Sequence, residues 1–198
     1  MKLYYSATSP YVRKVMACAI ARGLDGRILL HNSNPHVSPA DLVADNPTSK
    51  VPCLVADDGV SVYDSPVICE FLDSLGDAPA LFPAAGAARW RALKFQAMGD
   101  GILDAAVPCR GEIARPKEAA RDAVILRHKA AISRTVDALE ADVPHRQLDI
   151  GSIAVACALG YLDFRYSADK WRDGHPKLAA WYEDFAKNAC MAQTAPKE

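Results

Sequence analysis

The apolar rhythm of the first third of the chain changes repeatedly, then settles into one long helical period. Lys2–Tyr5 is a short strand-like run. Ser9-Pro10 opens a helix, with Ser9 as N-cap, Pro10 at the first helical position and Gly23 after the last turn. Val12, Val15, Met16, Cys18, Ala19 and Ile20 give that helix its apolar face. Arg27–His31 predicts a second strand, and the loop-rich segment 32–46 holds a helix-start signal, Ser38-Pro39, before a short turn at 40–44. Pro52–Ala56 and Val60–Tyr63 are strands joined by the hairpin signal Asp57-Asp58-Gly59. Asp64-Ser65-Pro66 starts a helix that runs to about Leu75 and stops at Gly76. The order βαβαββα, a βαβ unit followed by a hairpin and a helix, makes one α/β layer.

Beyond residue 77 the pattern is helical. Residues 1–77 form the first domain, 78–86 a proline-rich linker with Leu81 and Phe82 tucked down, and 87–198 an all-helical second domain. Its helices are expected at about 87–111, 117–142, 149–166 and 176–190. Pro108 lacks an amide hydrogen and predicts a kink or an end to the first of them. Asp149 with Ser152 resembles a weak capping box. The helix it starts, IGSIAVACALGYL, has few charges on any face and reads as the buried core helix.

Composition narrows the function classes. With 51% hydrophobic and 24% charged residues, the chain can bury an ordinary core. A net charge of −1 argues against non-specific nucleic-acid binding, which needs a basic surface to displace counterions. The polar start shows no signal-peptide core, and no stretch approaches the roughly 18 apolar residues of a membrane span. Six scattered cysteines without a CxxC, five of them in apolar segments, suit a reducing cytoplasm better than a disulfide framework or a metal site.

Three places combine chemistry with a strand-to-helix or loop-to-strand transition. At Thr8-Ser9-Pro10-Tyr11 a helix N-terminus favours an anion and lowers the pKa of a nearby thiol, although Ser9 is equally suited to serve only as a cap. In Asn46-Pro47-Thr48-Ser49-Lys50-Val51-Pro52-Cys53 a cis proline can free the Val51 backbone for an outside peptide; an ordinary loop with a trans proline is the plainer alternative. In Tyr63-Asp64-Ser65-Pro66 the serine can serve a carboxylate and the aspartate an ammonium group, or Asp64 can merely cap the helix.

Together these motifs resemble the glutathione transferase superfamily, and the resemblance covers essentially the whole chain. The rear half contributes the linker ending Leu81-Phe82-Pro83, Gly99-Asp100-Gly101-Ile102-Leu103-Asp104, the apolar helix after Asp149, and the closing Thr194-Ala195-Pro196. The resemblance implies a thioredoxin-like N-terminal domain packed on an all-helical domain. It also implies a cytoplasmic homodimer that takes glutathione and a small electrophile, with no metal or organic cofactor, in detoxification. By motif match, Ser9 donates its hydroxyl to the glutathione sulfur, with Thr8 as the alternative donor. Val51, beside a cis Pro52, pairs with the cysteinyl backbone. Lys50 faces the glycine carboxylate, Asp64 the γ-glutamyl ammonium and Ser65 its carboxylate. Asp100 and Asp104 are candidates for an acid lent to the partner subunit's site. The electrophile pocket is expected between the domains near Tyr11, Cys109, Arg110 and Tyr161.

The implied activity is glutathione S-transfer, in which a bound thiolate attacks a soft, hydrophobic electrophile. A non-catalytic glutathione-binding or regulatory protein, or a glutathione-dependent lyase, isomerase or peroxidase, uses the same front site. The chain departs from the family where a tyrosine or cysteine often activates the thiol, because Ser9 stands there; this argues against cysteine-based thiol-transferase chemistry. It departs again where Ser152 replaces the usual aspartate, which predicts a weakened local cap.

Overall fold

The computed structural model describes residues 1–75 and 78–197; the expected helix stop at Gly76 and the domain boundary at Asp77 lie outside the described residues. Two compact units emerge, Met1–Arg89 together with the segment from Asn188, and Trp90–Lys187.

The first unit is built on a four-stranded mixed sheet. In chain order its elements are β1 (Lys2–Tyr5), α1 (Pro10–Ala21), β2 (Leu29–Asn32), α2 (Ala40–Asp45), β3 (Cys53–Val55), β4 (Ser61–Val62) and α3 (Ser65–Asp73). The sheet order is β2-β1-β3-β4. β1 runs parallel to β2, which requires the α1 crossover, and antiparallel to β3, which pairs antiparallel with β4 through a tight turn. Gly59, at φ +86°, supplies the left-handed residue of that turn.

The second strand begins at Leu29 rather than Arg27. Residues Asp25–Arg27 instead close a 3₁₀ turn, and the Arg27 guanidinium donates to Asp57 at 2.8 Å. Under β1, Tyr4, Leu42 and Cys53 form a buried cluster against which Val51 and Val55 pack. The Tyr4 hydroxyl leaves this cluster to donate to Asp45 at 2.7 Å, and Lys2 Nζ donates to the same hydroxyl at 2.7 Å. These bonds pin α2 to the sheet.

Ser9 caps α1 and Pro10 opens it, as the sequence predicts. The buried face differs from the expected one. Met16 and Ile20 are only half-buried, whereas Arg13, Lys14 and Ala17 are buried. Helix α1 is covered from two directions, which widens its apolar stripe beyond one face.

The remaining helices are α4 (Gly86–Ile113), α5 (Ala119–Ala141), α6 (Ile150–Arg165), α7 (Pro176–Phe185) and α8 (Ala189–Gln193). The single helix expected over 176–190 is two, because the chain leaves helical geometry at Asn188 (ψ 139°). Helix α8 packs on α1 in the first unit, and Arg13 Nη2 donates to the Met191 carbonyl at 3.3 Å.

Helix α6 is the core helix of the second unit, buried without interruption from Ile150 to Leu162. Its cap is complete rather than weakened. Asp149 Oδ1 accepts the Ser152 amide at 2.8 Å, and Ser152 Oγ accepts the Asp149 amide at 3.1 Å. The serine hydroxyl also lies 2.8 Å from the Gln147 carbonyl as donor, a bond that an ionised aspartate cannot make. Helix α4 does not end at Pro108 but continues to Ile113. Pro108 brings no amide hydrogen to the helical ladder, and it stands on the exposed face of the helix. Where α4 and α6 touch they meet through glycine: a Cβ on Gly99 falls 2.6 Å from the Ala154 carbonyl carbon, and one on Gly151 falls 2.5 Å from the Ala92 oxygen.

An α/β unit of this topology with a separate helical unit is the fold class expected from the sequence.

Candidate functional site

The register of the sheet brings the three chemical motifs to one end. Tyr4 lies opposite Cys53, and Leu54 opposite Val62. The C-terminal end of β1, the N-terminal end of β3 and the C-terminal end of β4 therefore share an edge. From it lead the turn into α1, the Lys50–Pro52 segment and the start of α3. Residues about 40 and 55 positions apart in sequence become neighbours because β3 runs antiparallel to both flanking strands.

In the first of these segments the Ser9 amide donates to the Ser6 carbonyl at 3.0 Å, which closes the turn, and Ser9 Oγ accepts the Val12 amide at 3.3 Å. That bond occupies a lone pair of Oγ, so the hydroxyl proton can be donated elsewhere. Ser9 is half-buried and Thr8 is exposed.

The second segment is organised by Asn46, whose side chain is almost fully buried. Its Oδ1 accepts from the Thr48 amide at 3.0 Å and from the Thr48 hydroxyl at 2.8 Å, and its Nδ2 donates to the Lys50 carbonyl at 3.0 Å. The loop is thus folded onto one side chain before it enters β3. The Val51–Pro52 peptide is cis, as the Val-Pro before a strand suggests. The Val51 side chain packs inward on the Tyr4 cluster, and Pro52 is buried. Lys50 is exposed, and among the described residues no acid lies within ion-pair distance of it. Cys53, next in line, is not a candidate nucleophile, because burial and then the Asp45 carboxylate push its thiol up to about 11.

The third segment starts α3. Asp64 stands at the N-cap position, but its side chain makes no capping bond and is exposed. Ser65 is buried at the first helical position, followed by Pro66. The amides of Ser65 and Val67 are therefore not satisfied by the N-cap side chain and add to the positive end of the helix dipole. The plainer role for Asp64, a helix cap, is not the one its side chain adopts.

Of the residues expected to meet the electrophile, Tyr11 belongs to the first unit and is half-buried on α1. The others belong to the second. Cys109 is fully buried and interacts with the Tyr166 hydroxyl, while Arg110, the next residue, is exposed. Tyr166 donates to the Ala106 carbonyl at 2.5 Å, which ties the end of α6 to α4. Tyr161 is buried, with Arg110 hydrogen-bonded to its hydroxyl and the charge of Arg165 acting on it as well. Burial raises the Tyr161 pKa, and the two guanidinium groups oppose that rise. Arg165 escaped notice in the sequence; its position four residues after Tyr161 on an otherwise apolar helix is the signal that marks it. Among the described residues no group of three or more His, Cys, Asp or Glu is arranged to hold a metal ion, and no helix is long and apolar enough to cross a membrane.

A thioredoxin-like unit with its chemical motifs gathered at one sheet edge, followed by a helical unit, defines the glutathione transferase class of fold. Comparison with known proteins agrees. Residues 8–75 match the glutathione S-transferase N-terminal domain, and residues 118–184 the C-terminal domain. The chain is 34% identical over 201 residues to the uncharacterized GST-like protein YibF of Escherichia coli K12, spanning 99% of this chain and 98% of that one. A glutathione transferase family member from Pseudomonas fluorescens Pf-5, solved with bound glutathione, is 40% identical with a TM-score of 0.94, over 100% of this chain and 99% of that one. A structure from the same source with bound S-(propanoic acid)-glutathione is 39% identical with a TM-score of 0.89, and each chain is covered in full (100%). The chain belongs to the glutathione S-transferase family.

Proposed function

We propose that this protein is a glutathione S-transferase that binds glutathione along the shared sheet edge, ionises its thiol, and directs the thiolate at a small electrophile. The observation that carries this reading is the convergence of Ser9, Val51–Pro52 and Asp64–Ser65 on that edge, set by the register of β1, β3 and β4. Each group suits one part of the tripeptide. The main chain at Val51, beside the cis Pro52, suits strand-like pairing with the cysteinyl backbone. The Asp64 carboxylate suits the γ-glutamyl ammonium, and the Ser65 hydroxyl with the uncapped α3 amides suits its carboxylate. Lys50, unpaired by any described acid, suits the glycine carboxylate. The Ser9 hydroxyl, at the positive end of α1, suits the sulfur as a thiolate. The glutathione seen in the relative from Pseudomonas fluorescens supports the same ligand here.

Glutathione is the co-substrate in this scheme, and its sulfur is itself the nucleophile. Six buried thiols, none joined in a disulfide among the described residues, suit a cytoplasmic setting. The exposed Trp90, Val67 and Tyr63 suit a homodimer, in which they would be covered.

The test is retention on immobilised glutathione followed by turnover of a chromogenic aryl halide. Retention with turnover is expected. Retention without thiol ionisation identifies a non-catalytic binding protein, and failure to be retained overturns the glutathione site.

A further inference from the structure

Asn46 makes more hydrogen bonds than a loop cap needs. It is only 1% exposed, and it ties together the segment that precedes β3. Its backbone carbonyl accepts the Ser49 amide at 2.9 Å. Its Oδ1 accepts the Thr48 amide at 3.0 Å and the Thr48 hydroxyl at 2.8 Å. These bonds already fold the turn. The remaining one reaches further, because Nδ2 donates to the Lys50 carbonyl at 3.0 Å. The Thr48 amide can only donate and the Lys50 carbonyl can only accept, so these partners fix which end of the Asn46 side chain faces each.

The bond to Lys50 sets the geometry one residue further on. The peptide between Lys50 and Val51 is trans, and a planar trans peptide points its carbonyl and its N–H in opposite directions. With the Lys50 carbonyl drawn onto Asn46, the Val51 N–H is turned away from it. No backbone carbonyl among the described residues accepts that N–H. The groups around it are held. Ser49 is fixed by its amide and by its hydroxyl, which donates to Ser38 Oγ at 3.0 Å. The Val51 side chain packs inward on Tyr4, Leu42 and Cys53. An outward-facing donor thus stands on an otherwise well-tied loop.

We propose that Asn46 is a positioning residue: by holding the Lys50 carbonyl, it aims the Val51 N–H at the cysteinyl carbonyl of glutathione. The inference rests on the glutathione reading above and adds the side chain that orients the peptide-binding main chain. All the groups it uses belong to the first unit. Asn46 lies buried behind the loop, so it acts on affinity for the tripeptide and not on ionisation of the thiol.

Amide exchange at Val51 tests the wild type first. This N–H is expected to exchange fast in the free protein and slowly with glutathione bound. An N–H already protected without glutathione, or still unprotected with it, overturns the proposal before any variant is made.

Two substitutions then test the role of the side chain. Asn46→Asp keeps an acceptor for Thr48 but sets an oxygen against the Lys50 carbonyl; Asn46→Ser shortens the side chain so that it no longer reaches Lys50. Calorimetry is expected to show glutathione bound about tenfold more weakly by each, the size of one hydrogen bond left unmade. Glutathione should no longer protect the Val51 N–H, and the pKa of the bound thiol should stay where the wild type has it. Thermal unfolding separates loss of fold from loss of aim, and if neither variant folds the wild-type exchange result decides. A folded variant that binds as tightly as the wild type, or whose bound thiol shifts in step with the lost affinity, overturns the role of Asn46 and leaves the glutathione site standing. A wild type that binds no glutathione overturns both.

Discussion

Ser9 Oγ accepts the Val12 amide at 3.3 Å, so one hydroxyl both caps α1 and keeps a proton available at the helix's positive end. Thr8, one residue earlier, is exposed and takes no part in the cap. Ser9→Ala is therefore expected to raise the pKa of enzyme-bound glutathione by about one to two units, the worth of a hydrogen bond to a charged group. It should also destabilise the protein by about 1 kcal/mol through the lost cap. Thr8→Ala should do neither. Ultraviolet titration of the bound thiolate and thermal unfolding measure the two effects, and a shift confined to Thr8→Ala would reverse the assignment.

Two pairs of glycines in or beside the same helices should respond to alanine with opposite signs. A methyl at Gly99 or Gly151 meets backbone at 2.6 Å and 2.5 Å, and backbone cannot step aside cheaply. Each substitution should cost about 3 kcal/mol, the upper end of overpacking. Gly101 and Gly111, also on α4, have nothing within 4 Å of such a methyl. There alanine should stabilise by about 0.5–1 kcal/mol through helix propensity. Denaturant melts of the four variants decide the matter.

His175 links stability to pH. Burial pulls its pKa down, but the hydrogen bonds to Asp137 at 2.8 Å and to the Trp171 carbonyl at 2.6 Å outweigh that and leave it above the ordinary 6.5. A raised folded-state pKa means the histidine's contribution is complete below the unfolded value and is lost as pH rises through the folded one. Melting temperatures should thus fall as pH climbs from about 6.5 upward, and His175→Gln should flatten that slope. A variant with the wild-type slope would exclude His175 as its source.

Thiol chemistry should be silent in the native state. All six cysteines are buried, and Cys53 is held up to about 11. A disulfide exchange reagent at pH 8 should titrate almost none of them until denaturant is added, and then all six. Rapid native labelling of any cysteine would show that its unit opens locally.

Local chemistry was legible along the chain wherever a few adjacent residues settle the outcome. Ser9-Pro10, the Asp57-Asp58-Gly59 turn and the uninterrupted apolar run after Asp149 each act through neighbours one to four positions away, and each appears in the structure where its spacing puts it. The second strand begins at Leu29 rather than Arg27 for the converse reason. Residues 25–27 close a turn in which Arg27 pairs with Asp57, 30 positions away.

What tertiary structure alone decided is which of these pieces face each other. Only the antiparallel placement of β3 gathers Ser9, Val51 and Ser65 at one edge. Only the packing of α8 on α1 buries Arg13. Only the approach of α4 to α6 brings Arg110 beside Tyr161. Spacing along a chain fixes what is close within a turn or a strand; closeness between elements depends on the whole set of buried surfaces that fold together, which no single segment encodes.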